Sequence, residues 1–265
     1  MFTKPQSILI TGASSGIGEA LAMHYAEVAV TLFLGGRDQT RLQAVADQCR
    51  ERGADVHCWV GDVTDEQGMR EWIVNSDQQR PLNLVIANAG VALGASTVAG
   101  LHQAAKQSYA INVNGVFNTV HPALEVMAER RPYPVSNAQV AVMSSIMGFA
   151  GMARSPAYAS SKAAVKHYGE ALRGAFRNMG IGVSVICPGY VASPLTRQNK
   201  SSMPFLIPAN KAAAIIARGL ARNKARITFP WQVMLIARIY INLPAFLVDR
   251  LNKPWGVPKL EDQNQ

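Results

Sequence analysis

The chain has 265 residues, of which 49% are hydrophobic and 16% charged. That content is ample for one sizeable core, excludes disordered and collagen-like chains, and at this length fits a single α/β domain. The net charge of +9 is uneven: from Lys200 onward ten Lys/Arg face three acids (+7), while residues 1–199 carry 16 basic against 14 acidic residues (+2).

In chain order, Ser7–Thr11 reads as a buried strand, followed by the Gly-rich run Thr11–Gly18 and a helix over Glu19–Val28. Ala29–Leu34 reads as a second strand and Thr40–Arg52 as a helix with Leu42, Val45 and Ala46 on one face. Val56–Val60 is a third strand, Glu66–Ser76 a helix and Leu82–Ala87 a fourth strand. Ser96–Arg130 is expected to be mainly helical, with a turn near Gly100. Val140–Ser144 is a fifth strand, Ala157–Met179 a helix, Val183–Ile186 a sixth strand, Lys211–Arg222 a helix and Ile227–Phe229 a short seventh strand. Pro230–Asn242 and Pro244–Leu251 read as two short helices, each opened by a Pro in its first turn. Apolar runs separated by helices call for a parallel sheet covered on both faces, wound by right-handed crossovers into a doubly wound fold. Residues 1–265 therefore read as one domain.

Cys49, Cys58 and Cys187 share no metal-ligand spacing, and as an odd, scattered set they argue against a disulfide framework and fit a reducing, cytoplasmic compartment. His24, His57, His102, His121 and His167 are scattered too, so no metal site is expected. Met1–Ser7 is too short and polar for a signal peptide. The longest apolar stretch, Ile227–Val248, is interrupted by Arg238 and Pro244, and a span needs roughly 18 or more uncharged apolar residues.

Three places carry chemistry. The first is a strand, a Gly-rich turn and a helix start. There, glycines at 12, 16 and 18 let the backbone approach a pyrophosphate, with a helix N-terminus aimed at it. The second is the end of the second strand, where a carboxylate would bind a free ribose 2′-hydroxyl and an Arg would pair a 2′-phosphate. Gly36 occupies the carboxylate's place and Arg37 follows, which favours NADP. A slip of one or two residues would bring in Asp38 and favour NAD. The third is Tyr158 and Lys162, which stand four residues apart on one helix face, with Ser145 upstream at the end of a strand. A phenol titrates near pH 10, and a nearby cation favours its phenolate, so Tyr158 suits general acid/base work on a carbonyl or alcohol.

Taken together and in this order, these residues make the chain resemble the short-chain dehydrogenase/reductase family over roughly Ser7–Ser193. Thr11–Gly18 (TGASSGIG) is similar to the family's cofactor turn, which places Gly12, Ser14, Ser15, Gly16, Ile17 and Gly18 at the cofactor. Asp62 and Val63 resemble its adenine-contacting pair. Asn88, Ala89 and Gly90 resemble its NAG motif, Asn112 its catalytic Asn, and Ser145, Tyr158 and Lys162 its Ser and YxxxK residues. Pro188 and Gly189 resemble its PG motif near the nicotinamide, with Val191 and Ser193 following. Ser193 stands where the family usually has Thr, and Ser15 stands where many NADP-preferring relatives have a basic residue, so Arg37 is the main indication for NADP.

The resemblance implies a seven-stranded parallel sheet in order 3-2-1-4-5-6-7, with helices on both faces. It also implies an NADP(H)-dependent interconversion of a carbonyl and a secondary alcohol. Ser145 would bind the substrate oxygen and Tyr158 would carry the proton. Lys162 would hold the ribose and lower the tyrosine pKa, and Asn112 would position a water. A non-catalytic NADP-binding sensor or scaffold is the alternative, although a sensor need not keep all four residues. A sugar-nucleotide epimerase or dehydratase of the related extended type fits the turn spacing and the chain length less well. Relatives are usually homodimers or homotetramers.

Residues 190–208 would form a lid whose Pro194, Leu195, Met203, Phe205, Leu206 and Ile207 suggest an apolar substrate part. Residues 229–265 form a basic, apolar extension. With no recognised binding motif, nucleic acid is not an expected partner. The extension's apolar residues, including Trp231 and Trp255, need a cover: the chain's own core, a second subunit or an anionic membrane surface.

Overall fold

The structure, a computed structural model, describes residues 4–95, 97–130, 132–135, 137–153, 155–197 and 203–252. Lys200, Lys253, Trp255, Lys259 and the side chain of Leu195 lie outside the described residues.

The seven strands are β1 (Ser7–Thr11), β2 (Thr31–Gly36), β3 (Asp55–Val60), β4 (Leu84–Ala87), β5 (Gln139–Met143), β6 (Gly182–Pro188) and β7 (Arg226–Phe229). They form one parallel sheet in order β3-β2-β1-β4-β5-β6-β7. The central strands are apolar on both faces because both faces are covered: all five residues of β1 and all five of β5 are buried. Alternation sends Ile8 and Ile10 into one core, with Leu32, Leu34 and Ile227, and Leu9 into the other, with Phe33, Val85 and Val140.

The first core is closed by α1 (Gly16–Tyr25), α2 (Gln39–Glu51) and α8 (Ala209–Ala221). The second is closed by α3 (Glu66–Gln79), α5 (Gly115–Ala128) and α6 (Pro156–Ala175), with α4 (Val98–Tyr109) packed on α6. Short polar side chains start several of these helices. Asp38, Asp65 and Thr97 accept the free amides of Arg41, Gly68 and Gly100.

Several boundaries differ from the sequence reading. The turn expected near Gly100 is absent, since Gly100 lies in the first turn of α4, held by the Thr97 cap. The interruption comes later, as one π-helical turn over Ala110–Asn114 that joins α4 to α5 without a break. The helix after β1 begins at Gly16 rather than Glu19, so the glycine run is itself the helix start. β2 extends two residues further, to Gly36. Pro230 and Pro244 precede rather than open their helices, α9 (Trp231–Ile241) and α10 (Ala245–Asn252). In the lid region, α7 (Pro194–Arg197) is a short helix, and Val191 bridges to Ile207.

Candidate active site

Every site residue expected from the sequence sits at or beyond the carboxyl ends of the strands, around the point where the strand order reverses between β1 and β4. After β1, Gly12 and Gly16 adopt φ of +64° and +62°, a conformation that side chains disfavour. Gly18 faces a tighter limit. A Cβ there would lie 2.2 Å from the Gly12 carbonyl oxygen and 2.6 Å from Asn88 Nδ2. Ser15 sits at the N-cap of α1 without capping it through its side chain, and Ile17 packs against the core. The first-turn amides of α1 are thereby left facing the turn, as an anion site requires.

Thr11 ties this turn to β4. Its hydroxyl accepts from the Asn88 and Ala89 amides at 3.0 and 3.1 Å. Asn88 Nδ2 donates back to the Thr11 and Gly12 carbonyls at 2.9 and 3.1 Å. Thr11 was not singled out from the sequence, although it opens the glycine motif and its place at the strand end was the available signal.

At the end of β2, a Cβ on Gly36 would stand 3.3 Å from the Ser14 side chain. The next residue, Arg37, reaches Asp62 at 3.5 Å across an exposed surface. Burial raises the Asp62 pKa, but hydrogen bonds from the Thr64 amide and hydroxyl and the Arg37 charge outweigh it, so the carboxyl sits below its ordinary value. Val63 is buried against Gly115. Asp38 is occupied elsewhere: it caps α2, accepting the Arg41 amide at 2.9 Å and Arg41 Nε at 2.7 Å.

The catalytic candidates converge between β5, α6 and the π-turn. A Cβ on Gly90 would be 3.0 Å from Asn112 Oδ1 and 3.1 Å from Lys162 Nζ, so these three residues meet. The Asn112 amide is fully engaged, with Oδ1 accepting from Val91 N (2.8 Å) and Nδ2 donating to Val91 O (2.9 Å) and Ser161 Oγ (3.0 Å). Ser161, inside the Tyr158–Lys162 run, was not identified from the sequence.

Ser145 Oγ accepts from the Met147 amide at 3.1 Å, lies 3.5 Å from the Pro188 carbonyl oxygen, and is hydrogen-bonded with the Tyr158 phenol. Burial holds the phenol's pKa above its ordinary 10, and the Ser145 hydrogen bond pulls the other way.

Lys162 is held against the end of β5. Its Nζ donates to the Met143 carbonyl at 2.9 Å and stands 5.9 Å from the centre of the Tyr158 ring. It does not bring the phenol below 10 here, because burial dominates both groups. Burial lowers the Lys162 pKa to about 8, slightly opposed by Cys187. Ser144 Oγ, donating to the Lys162 carbonyl at 2.7 Å, fixes α6 to the end of β5.

Beyond β6, the Gly189 amide donates to the Phe229 carbonyl at 2.7 Å, and Val191 is buried. The Ser193 amide donates to Thr196 Oγ1 at 3.0 Å. Ser193 Cβ would lie 3.0 Å from a Cβ on Gly16, so this segment closes over the glycine turn. Among the described residues, no group of three or more His, Cys, Asp or Glu could hold a metal ion.

The glycine turn supplies a test of fit for a dinucleotide. Its backbone is kept bare by positions that admit no Cβ, its helix amides are free, and a cation stands at the end of β2. The residues present fit such a group.

Comparison with known proteins agrees with this arrangement. A family profile for short chain dehydrogenases matches residues 6–204. An uncharacterized oxidoreductase of Myxococcus xanthus is 35% identical over 245 residues, covering 92% of this chain and 95% of the relative. The crystal structure of a 3-ketoacyl-ACP reductase from Sinorhizobium meliloti superposes with a TM-score of 0.73 at 25% identity, covering 87% of this chain and 99% of that one. A short-chain type dehydrogenase/reductase from Mycobacterium marinum shares the fold, with a TM-score of 0.75 at 23% identity, covering 84% of this chain and 93% of its own. The chain belongs to the short-chain dehydrogenase family of oxidoreductases.

Proposed function

We propose that this oxidoreductase interconverts a carbonyl and a secondary alcohol with NADP(H), using Tyr158 as general acid and base. The observation that carries the reading is the hydrogen-bonded pair of buried Ser145 and half-buried Tyr158, beside Lys162, whose Nζ meets Gly90 and Asn112. Gly12, Ser14, Ser15, Gly16, Ile17 and Gly18 would hold the pyrophosphate side of the cofactor. Asp62, Val63, Asn88, Ala89 and Gly90 would flank its adenosine half, and Pro188, Gly189, Val191 and Ser193 its nicotinamide half. When bound, the cofactor supplies or accepts the hydride.

The rest is the work of this chain's side chains. Ser145 holds the substrate oxygen. Tyr158 donates its phenolic proton to that oxygen during reduction and takes one back during oxidation. The Lys162 ammonium, released from the Met143 carbonyl, binds ribose hydroxyls and offsets the burial that keeps the phenol protonated. Asn112 positions the π-turn against α6 through Ser161.

Two features support NADP over NAD. Gly36 presents no carboxylate to a ribose hydroxyl, and the carboxylate that could substitute, Asp38, is taken by the α2 cap. That leaves Arg37, largely exposed, to receive a 2′-phosphate. The name of the Sinorhizobium relative points to a ketone as the reacting group. Family membership also supports a homodimer or homotetramer.

The test is NADPH oxidation over a panel of carbonyl compounds. Tyr158→Phe removes only a hydroxyl and should keep NADPH affinity while turnover falls roughly 100- to 10,000-fold. Undiminished turnover in that variant would refute the mechanism.

A further inference from the structure

Helices α9 and α10 contain no buried residue, although α9 is strongly apolar and α10 carries Phe246, Leu247, Val248 and Leu251. Their inner sides touch the rest of the chain lightly. α9 packs on the turn Ile146–Phe149 and on β7. Tyr240 Oη donates to the Gly151 carbonyl at 3.4 Å and accepts from Asn252 Nδ2 at 2.9 Å. The outer side is bare. Trp231 is 70% exposed, and Leu235 and Ile239, which follow at four-residue steps, are 51% and 58% exposed. Ile236 widens the stripe, and Phe246 on α10 is 69% exposed. Five large apolar side chains on two adjoining helices therefore face outward, which a soluble surface does not ordinarily sustain. Among the described residues the chain's own core, one of the covers expected from the sequence, does not cover them.

The charges on these helices choose between the remaining covers. Arg238 lies seven residues after Trp231 and so on the same helical face, and Arg250 stands one turn after Phe246. Both are exposed and neither forms an ion pair among the described residues. Between Arg226 and Asn252 the only acid is Asp249. A two-fold contact between copies would press this cationic, apolar patch against itself with almost no acid to meet it. An anionic headgroup layer supplies both what the apolar stripe and what the guanidinium groups need, since Arg can lay its stem in the apolar boundary and its head among phosphates. The helices have 11 and 8 residues, and no described helix is long and apolar enough to cross a membrane, so the fitting geometry is one lying in the interface plane.

We propose that the outer face of α9 and α10 docks this protein onto the surface of an anionic lipid bilayer. Trp231, Leu235, Ile236, Ile239 and Phe246 enter the headgroup boundary, and Arg238 and Arg250 pair with lipid phosphates.

The test is flotation of the full chain with vesicles of phosphatidylcholine alone or mixed with phosphatidylglycerol, at low and high salt. It is run beside sedimentation velocity without lipid. Wild type is expected to float with the anionic vesicles at low salt and to be released by high salt. Arg238→Gln with Arg250→Gln should weaken that partition roughly 30-fold, at about 1 kcal/mol per cation. Leu235→Glu with Ile239→Glu should abolish it. All four positions are exposed, so circular dichroism and reductase turnover on a water-soluble carbonyl should stay at wild-type values. Failure to float with anionic vesicles at low salt overturns the proposal. So does a lipid-independent dimer that Leu235→Glu with Ile239→Glu dissociates, because the second copy is then the cover.

Discussion

Lys162 is a buried cation kept for a purpose other than stability, and replacing it with Met should show this. The residue is 3% exposed, and burial pulls its pKa from an ordinary 10.5 to about 8. Below pH 8 the ammonium is charged in both folded and unfolded chains, and the folded one pays the burial penalty, worth roughly 3 kcal/mol for a displacement of this size. Between pH 8 and 10.5 the folded chain releases its proton while the unfolded chain keeps it. The unfolded state then binds more protons, so stability rises with pH and the penalty fades. Met fills a similar volume without charge.

Lys162→Met should therefore be more stable than wild type at pH 7, by about 2 kcal/mol once the lost Met143 bond is counted, with the difference shrinking from pH 8 upward, crossing zero before 10.5 and levelling off slightly below it. The Met143 carbonyl loses its partner in the variant, which costs about 1 kcal/mol at every pH and moves the offset but not the slope. Urea unfolding of cofactor-free wild type and variant, at intervals between pH 6 and 10.5, isolates this group because all others cancel in the difference. A difference that stays flat across pH 7–10 would refute the reasoning. The same variant should lose turnover, so that the stabilising change is the inactivating one.

Three further perturbations probe the cofactor site. Arg37→Ala should weaken NADPH far more than NADH. Asp38→Ala should lower Tm through loss of the α2 cap while leaving the ratio of the two affinities unchanged. Titrations of both cofactors against both variants check this, and an altered ratio in Asp38→Ala would return the ribose to that carboxylate. Gly18→Ala places a methyl 2.2 Å from a backbone oxygen, so the turn must shift. NADPH and NADH affinities should both fall, and retention of wild-type affinity would show that the turn is not the cradle.

The sheet was legible in the sequence because its central strands are covered on both faces and so read as unbroken apolar runs, as in Ile8–Ile10 and Val140–Val142. The edges of elements were less so. Gly35 and Gly36 look like turn residues, yet they lie in β2, where a Cβ on Gly35 would stand 2.5 Å from Trp72 and one on Gly36 3.3 Å from Ser14. The site's main residues were legible as motifs, but not the bonds that hold them. Nothing in composition reveals that Lys162 turns to a carbonyl of β5, or that Thr11 and Ser161 serve Asn88 and Asn112, because these contacts join residues 19 to 77 positions apart. The π-turn was invisible for a related reason. None of Ala110, Ile111, Asn112, Val113 and Asn114 marks a wide turn by its type, while Gly100, where the sequence reading put the break, sits harmlessly in a capped first turn.

That π-turn makes the length of one segment as consequential as any side chain in it. A π-turn holds one residue more than an α-turn. Losing any single residue between Ala110 and Asn114 would let the chain close into regular helix, and because the wide turn had absorbed that surplus residue, α4 and α5 would keep their mutual phase while the bulge itself vanished. Both helices would keep their packed faces, but Asn112 would shift off Val91 and Ser161. Substitutions in this segment keep the count and leave the choice of side chain to packing. Insertions and deletions do not, so the surplus residue behaves as a spacer whose removal would disarm the site while leaving every other residue of it in place.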